Sequence, residues 1–431
     1  MSLVIKDGNG TLRTLDTITD NLGVQNPVQL TKFADSPSLD AFARLRTSAP
    51  FTVFDSKQIH DNLPNFYDDQ ETSGSGTGST HSANRASSTL SVSNLTAGTR
   101  VRQTFRRFNY QSGKSQLGIF TFVFGAKASG ITRRRGYFDG DDGVFFEQTG
   151  SDIAFVVRSN ATGTPVDTRV PQSSWNVDKL DGTGSSGITF DDTKSQILFI
   201  DFEWLGVGRI RYGFFIDGKP YLCHEINNAN NLDVVYMSKP NLPIRTEISN
   251  DGTGSAATLE EICATVISEG GQENTGAVRT QGRGVTTIDN VSTSDFTPVI
   301  SVRLKSGYES ETINLENLSV LCATNTNFEW TVHLNPTIQG TDNASWSAVP
   351  NSSIEYDISR DNTNNFAENT GIRIQGGLGS NAIDVIQANL DNALRLGANI
   401  AGTRDQIVVG VRSVSGATND FLGTLTWREL S

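Results

Sequence analysis

Between Gln196 and Ile226 the chain reads QILFIDFEWLGVGRIRYGFFIDGKPYLCHEI, and large apolar residues recur at every second position. Leu198, Ile200, Phe202 and Trp204 share one parity, and Ile210, Tyr212, Phe214 and Ile216 share one parity of the next run. Such alternation marks half-buried strands. Gly206-Val207-Gly208 reads as a three-residue loop, with Gly208 in the left-handed region. That loop sets Trp204 opposite Ile210 and Phe202 opposite Tyr212. It also sets Glu203 opposite Arg211, with Asp201 and Arg209 as diagonal neighbours. Asp217-Gly218 is a type I′ hairpin signal, which returns Tyr221-Leu222-Cys223 along Ile216 and Phe214. A meander with one apolar face needs a second layer to cover it.

The same alternation predicts strands over 88–92, 101–108, 117–124, 144–148, 153–157, 244–248 and 259–267. Phe51-Thr52-Val53-Phe54 opens this series. The glycine- and serine-rich stretches 73–79 and 181–187 read as loops. Residues 271–290 are polar and glycine-rich, and they read as a linker. A second series of strands follows over 299–304, 315–323, 328–334, 353–358, 371–375, 384–386, 406–413 and 422–427, and 390–396 suits either a helical turn or a strand. Short strands with frequent turns predict an all-β protein with two tandem β-sandwich or jelly-roll domains, one over 51–270 and one over 291–431. Residues 1–50 cannot build a core. Leu3-Val4-Ile5 and Thr11-Leu12 flank a Gly8-Asn9-Gly10 turn. Phe33, Phe42, Leu45, Phe51 and Phe54 seek burial, so the segment reads as an extended anchoring arm. Its docking residues would be Phe42, Arg44, Leu45, Arg46, Phe51 and Phe54.

Composition agrees with strands. Serine, threonine, asparagine and 41 glycines dominate the polar share. Of 35 basic residues, 10 are lysine and 25 arginine, which suits buried ion pairs and interfaces. The net charge of −12 argues against general nucleic-acid binding. Cys223, Cys263 and Cys322 are too few and too scattered for a disulfide framework, and they read as reduced thiols made in a cytoplasm. The start carries no secretory pattern, and no apolar run of ~18 residues predicts membrane insertion.

Two resemblances follow from particular residues. The stretch FEWLGVG…GFFIDGK is similar to the core sheet of concanavalin-like jelly-roll lectins and laminin-G-type modules, over about thirty residues. The second is broader. Leu39 to Arg46, Phe54-Asp55, Arg134 to Asp139 with Gly143 to Phe146, Trp204 to Gly208, and Thr265 to Gly271 together resemble a family of virion structural proteins of tailed bacteriophages, cyanophages among them. Ala43 stands where that family more often carries glycine. The resemblance implies a particle component assembled in the host cytoplasm: a fibre, collar or baseplate attachment, or a capsid decoration protein. It brings no catalytic residues and no cofactor. Its implied partners are other virion proteins, further copies of itself (a trimer first) and host-surface carbohydrate.

Candidate chemistry is sparse. Asp201 and Glu203, two apart on a strand, would sit ~6.5–7 Å apart, near the spacing of paired glycosidase carboxylates. That defines an enzymatic alternative, a β-sandwich glycosidase. Ion pairing to Arg209 and Arg211 would lower their pKa values and spoil a general acid. Asp139, Asp141 and Asp142 form a weak cation loop that does not match the EF-hand pattern. Gly113-Lys114-Ser115 ends like a phosphate loop, but Phe108 stands where the earlier glycine belongs. His60, His81, His224 and His333 share no metal-ligand spacing, and no nucleophile motif occurs. Arg100, Arg102, Arg106 and Arg107, interleaved with Phe105 and Phe108, read as arginines bridging sheets or subunits rather than a nucleic-acid surface. Phe66, Tyr67, Trp175 and Trp346 lie in loops where an aromatic ring could stack on sugar. The chain therefore reads as a non-enzymatic binding protein.

Overall fold

A computed structural model describes residues 3–6, 12–15, 17–19, 25–27, 48–324, 326–380, 386–389, 396–414, 416 and 419–430. Met1–Ala49 and Pro50–Ser431 are separate compact units. In the first, Leu3–Lys6 pairs antiparallel with Leu12–Leu15, and Thr17–Thr19 pairs with Gln25–Pro27; the expected Gly8-Asn9-Gly10 turn lies outside the described residues. The expected docking residues Phe42, Arg44, Leu45 and Arg46, and Phe33 beside them, lie outside the described residues. So do residues 390–395.

The second unit is all-β, built from antiparallel sheets packed as sandwiches. One sheet of the first sandwich runs in the order Lys219–Asn227, Arg209–Ile216, Gln196–Phe202, Gln116–Val123, Ala257–Ser268, Ser87–Val92 and Thr77–Ser82, with Phe51–Lys57 also paired to Ala257–Ser268. The facing sheet runs Val166–Pro171, Ile153–Ser159, Gly143–Gln148, Ile131–Phe138, Ile244–Asn250, Gly98–Thr104 and Tyr67–Gly74. The alternating residues fill the space between them. Leu198, Ile200, Phe202, Ile210, Tyr212 and Phe214 meet Phe146, Phe155 and Ile244 in one buried cluster. Trp175 belongs to this core: its ring stacks on Phe155 at 4.3 Å and its Nε1 donates to Val170 O at 3.2 Å.

Charge also enters this interior. Arg102 and Arg135, on the two strands that flank Ile244–Asn250 in one sheet, reach Glu261 of the other at 3.5 and 3.1 Å. All three side chains are fully buried. Gln58 Nε2 donates to the same carboxylate at 2.9 Å. Burial opposes the charge of Glu261, and Arg135 and Arg102 overcome that and hold its carboxyl below the usual range. Arg102 is thus the sheet-bridging arginine its position suggests.

A second pair of sheets follows. One is ordered Ala277–Gly282, Phe421–Leu430, Thr312–Cys322 and Ile386–Asn389. The other is ordered Ser347–Ala348, Ile354–Asp357, Thr297–Leu304, Gln406–Ser413, Phe328–Leu334 and Ile372–Gly379. Between them lies a separate core of Val299, Val302, Leu318, Val332, Val409, Leu425 and Trp427, among others.

Three local expectations are corrected. Residues 73–79 are not one flexible loop. Tyr67–Gly74 and Thr77–Ser82 are strands in opposite sheets, and Gly74 and Gly76, at φ +66° and +75°, turn the corner between them. Residues 271–290 are not a plain linker, because Ala277–Gly282 pairs along Phe421–Leu430 and Ile288 is buried. The meander register lies two residues away from the expected one. Phe202 faces Ile210, Ile200 faces Tyr212 and Asp201 faces Arg211. Trp204 leaves the strand because its indole Nε1 donates to Met237 O at 3.0 Å and its ring packs edge-on to Tyr110. The positive φ then falls on Leu205 and Gly206, at +34° and +76°, not on Gly208. The Asp217-Gly218 turn has φ of +50° and +73°, as type I′ requires.

Candidate functional site

The meander carries the carboxylates that invite an enzymatic reading. Asp201, on Gln196–Phe202, is buried and bound on both oxygens, by the Arg211 guanidinium and the Ser115 hydroxyl. Glu203 lies beyond the strand end and is exposed. Its Oε1 accepts the Arg209 N–H at 3.2 Å, while the Arg209 guanidinium sits 3.9 Å from Glu225. The ion pairs are therefore Asp201–Arg211 and Arg209–Glu225, in place of Glu203–Arg211 and Asp201–Arg209. Asp201 is thus held in an ion pair within the strand, and Glu203 stands past the strand end.

The acidic loop is likewise committed to structure. Asp139 Oδ1 accepts the N–H groups of Asp141 and Asp142 at 2.8 and 2.9 Å, and its Oδ2 pairs with Arg107. Burial disfavours its charge, and Arg107 with these N–H groups still holds the carboxyl below the usual carboxylate range. Asp142 accepts from Asn160 N at 3.1 Å, Ser238 N at 2.7 Å and the Ser238 hydroxyl. Asp141 stands 3.3 Å from Lys239. Among the described residues, no three side chains of metal-ligating type converge.

Phe54, expected to dock, is a core residue packed among Phe66, Tyr67 and Phe108. Phe51, at the start of the same strand, is about half exposed at 48%. Cys223 and Cys322 are buried free thiols, and burial pushes the Cys223 thiol well up. His224 accepts the Asn176 N–H at 3.3 Å, His333 Nδ1 lies 2.8 Å from Thr370 O, and burial holds both imidazoles below their ordinary pKa. Trp346 lies under the Arg303 guanidinium at 3.9 Å.

What the sequence reading missed is a polar hollow of about 370 Å³ where the two sandwiches meet. Arg107, Asp139, Asp141, Lys239 and Arg245 line it from one side, and Glu309 and Asn399 from the other. The junction is fastened by the Ile400 N–H to Asp68 at 2.7 Å and by the Thr312 hydroxyl to Arg107 O at 3.4 Å. No local spacing announces this hollow, since its walls come from separate connections.

Fold and site together define an all-β, double-sandwich protein whose candidate carboxylates serve as fasteners. No family model matches the chain, and no curated protein matches it. Among solved structures it is similar to the Emp47p carbohydrate recognition domain, at 11% identity over 51% of this chain and 97% of that one, with a TM-score of 0.33. It is similar to a glycoside hydrolase family protein from Mycobacterium thermorestibile, at 13% identity over 50% and 99%, with a TM-score of 0.34. A legume lectin-like domain from Entamoeba histolytica matches at 12% identity over 51% and 98%, with a TM-score of 0.31. At these values the likeness assigns neither ligand nor activity.

Proposed function

We propose that this chain is a virion structural protein of a tailed bacteriophage, an appendage component of fibre, collar or baseplate type. It docks by its N-terminal arm, assembles as a homo-oligomer and contacts surface glycans. The reading starts from the phage-like motifs. One observation supports it: these motifs act as scaffold. The Tyr137 hydroxyl donates to Phe108 O at 3.0 Å, Trp204 donates to Met237 O, and Gly206 O accepts the Tyr236 N–H at 2.9 Å. Two separate motifs thus fasten the segments around Phe108 and Tyr236. The commitment of Asp201 to Arg211 and Ser115 supports a non-enzymatic role.

Light scattering on the full chain and on residues 50–431 tests this. A trimer or larger species that survives truncation is expected, with the arm serving as tether. A monomer in both forms overturns the appendage reading in favour of a capsid decoration protein. Hydrolysis of a β-glucan that Glu203→Gln abolishes would overturn the non-enzymatic reading and establish the glycosidase alternative.

A further inference from the structure

The connection from Thr297–Leu304 to Thr312–Cys322 reads KSGYESE, Lys305 to Glu311, and its residues turn two ways. Gly307, Glu309 and Ser310 face the junction hollow. Lys305, Tyr308 and Glu311 face a second hollow of about 420 Å³, closed by Asn351 to Ser353 and by Glu429. Two successive turns set this spacing: Tyr308 N donates to Lys305 O at 3.1 Å, and Glu311 N to Tyr308 O at 3.0 Å.

The polar groups of the second hollow divide into committed and free. Glu429 is committed. It accepts from Trp427 Nε1 at 3.0 Å, Ser353 N at 3.0 Å and the hydroxyls of Ser352 and Ser353. Lys305 Nζ donates to Val349 O at 2.8 Å and Ser352 O at 2.6 Å, and among the described residues no carboxylate pairs with it. An ammonium has three hydrogens, and the third has no oxygen partner among the described residues, with Nζ 6.0 Å from the centre of the Tyr308 ring. The half-buried Glu311 carboxyl makes no hydrogen bond or ion pair among the described residues, and burial together with Glu429 pushes its pKa up. Tyr308, 46% exposed, presents an aromatic ring at the rim.

The contents select the ligand. An apolar guest would strand Lys305 and Glu311 without partners, at a desolvation cost. An anionic guest would meet two carboxylates against one ammonium. A metal cation would sit beside that ammonium. A neutral sugar fits all three groups, since its hydroxyls both donate and accept while its C–H face covers an aromatic ring. We propose that this hollow is a saccharide subsite for an uncharged sugar residue. Tyr308 stacks on the ring, Glu311 accepts from hydroxyls, and Lys305 donates to an oxygen. The inference rests on the glycan-contact part of the proposed function.

The test is an array of neutral, uronic-acid and sialylated glycans probed with the full chain, followed by calorimetric titration of the best neutral binder. Tyr308→Ala and Glu311→Gln should each weaken that binding about tenfold, the scale of one lost aromatic or charged contact, with Tm unchanged. If Glu311→Gln lowers Tm, the exposed Tyr308→Ala decides alone. Neutral glycans that bind wild type and both variants equally overturn the subsite and leave the glycan-contact reading standing. Binding of anionic glycans alone overturns the uncharged-sugar subsite. Failure of wild type to bind any glycan overturns both.

Discussion

The two sandwiches bury their sheets with different side chains. The first packs rings on rings: Phe146 alone lies within 6.0 Å of Phe122, Phe124, Phe155, Phe190 and Phe214. Through that layer pass the Arg102, Arg135 and Glu261 charges. The second is aliphatic, with valine, isoleucine and leucine between its sheets and four aromatic side chains, Phe328, Trp330, Phe421 and Trp427. Rings bury large areas but demand specific angles, whereas branched aliphatics fill space in smaller steps. The first core should therefore respond sharply to single truncations, and the second in small increments.

Removing a shared acceptor is the harshest test. Glu261→Ala leaves Arg135 buried without its carboxylate and Arg102 with only Asp69, 3.8 Å away, and should cost about 3–5 kcal/mol in denaturant unfolding. A loss below about 1 kcal/mol would mean that water relieves the arginines and that the charged layer is not closed. Phe146→Ala opens the centre of the ring cluster and should cost about 3–4 kcal/mol by the same measurement.

Acid should reach the first sandwich through its outer face. Burial opposes the charge of Glu247, but Arg245 and Arg134 hold its carboxyl down at about 2. A carboxyl depressed in the folded state contributes fully above its unfolded value, about 4.3–4.5, and loses that contribution as pH falls toward the folded value. Stability should thus fall between about pH 4.5 and 2. Glu247→Gln should flatten that slope and cost about 1–3 kcal/mol at pH 7. An unchanged slope would move the acid sensitivity elsewhere. In the second core, Ile407→Val should cost only about 1 kcal/mol. Arg209→Ala, on an exposed pair, should stay within about 0.5 kcal/mol.

Much of this architecture is legible in the sequence, because alternation survives wherever one strand face is buried. Phe328–Leu334 and Gln406–Ser413 have the bounds their pattern predicts. The failures share a physical cause. Trp204 has the parity of a strand residue, yet a bond to Met237 O, 33 positions away, draws it off the sheet. No local pattern encodes that competition, and the register of Asp201 and Glu203 shifted with it. Residues 73–79 look like flexible polar sequence because the two strands there are polar and little buried, so no apolar alternation marks them. The hollows are built by several connections, so neither Glu309 nor Tyr308 stands out until the sheets bring the loops together. Lys305, Tyr308 and Glu311 sit within seven residues of each other, yet nothing in KSGYESE separates a sugar-facing turn from an ordinary one.

Phe51 and Ser268 face each other across a single rung of the ladder. The first sandwich therefore begins and ends at one point of its sheet. A body with adjacent ends can be spliced into a longer chain, or excised from it, without moving the segments on either side. Recombination can exchange this sandwich as a unit, provided the newcomer offers the Ile400 N–H and the Thr312 hydroxyl the acceptors that Asp68 and Arg107 O supply.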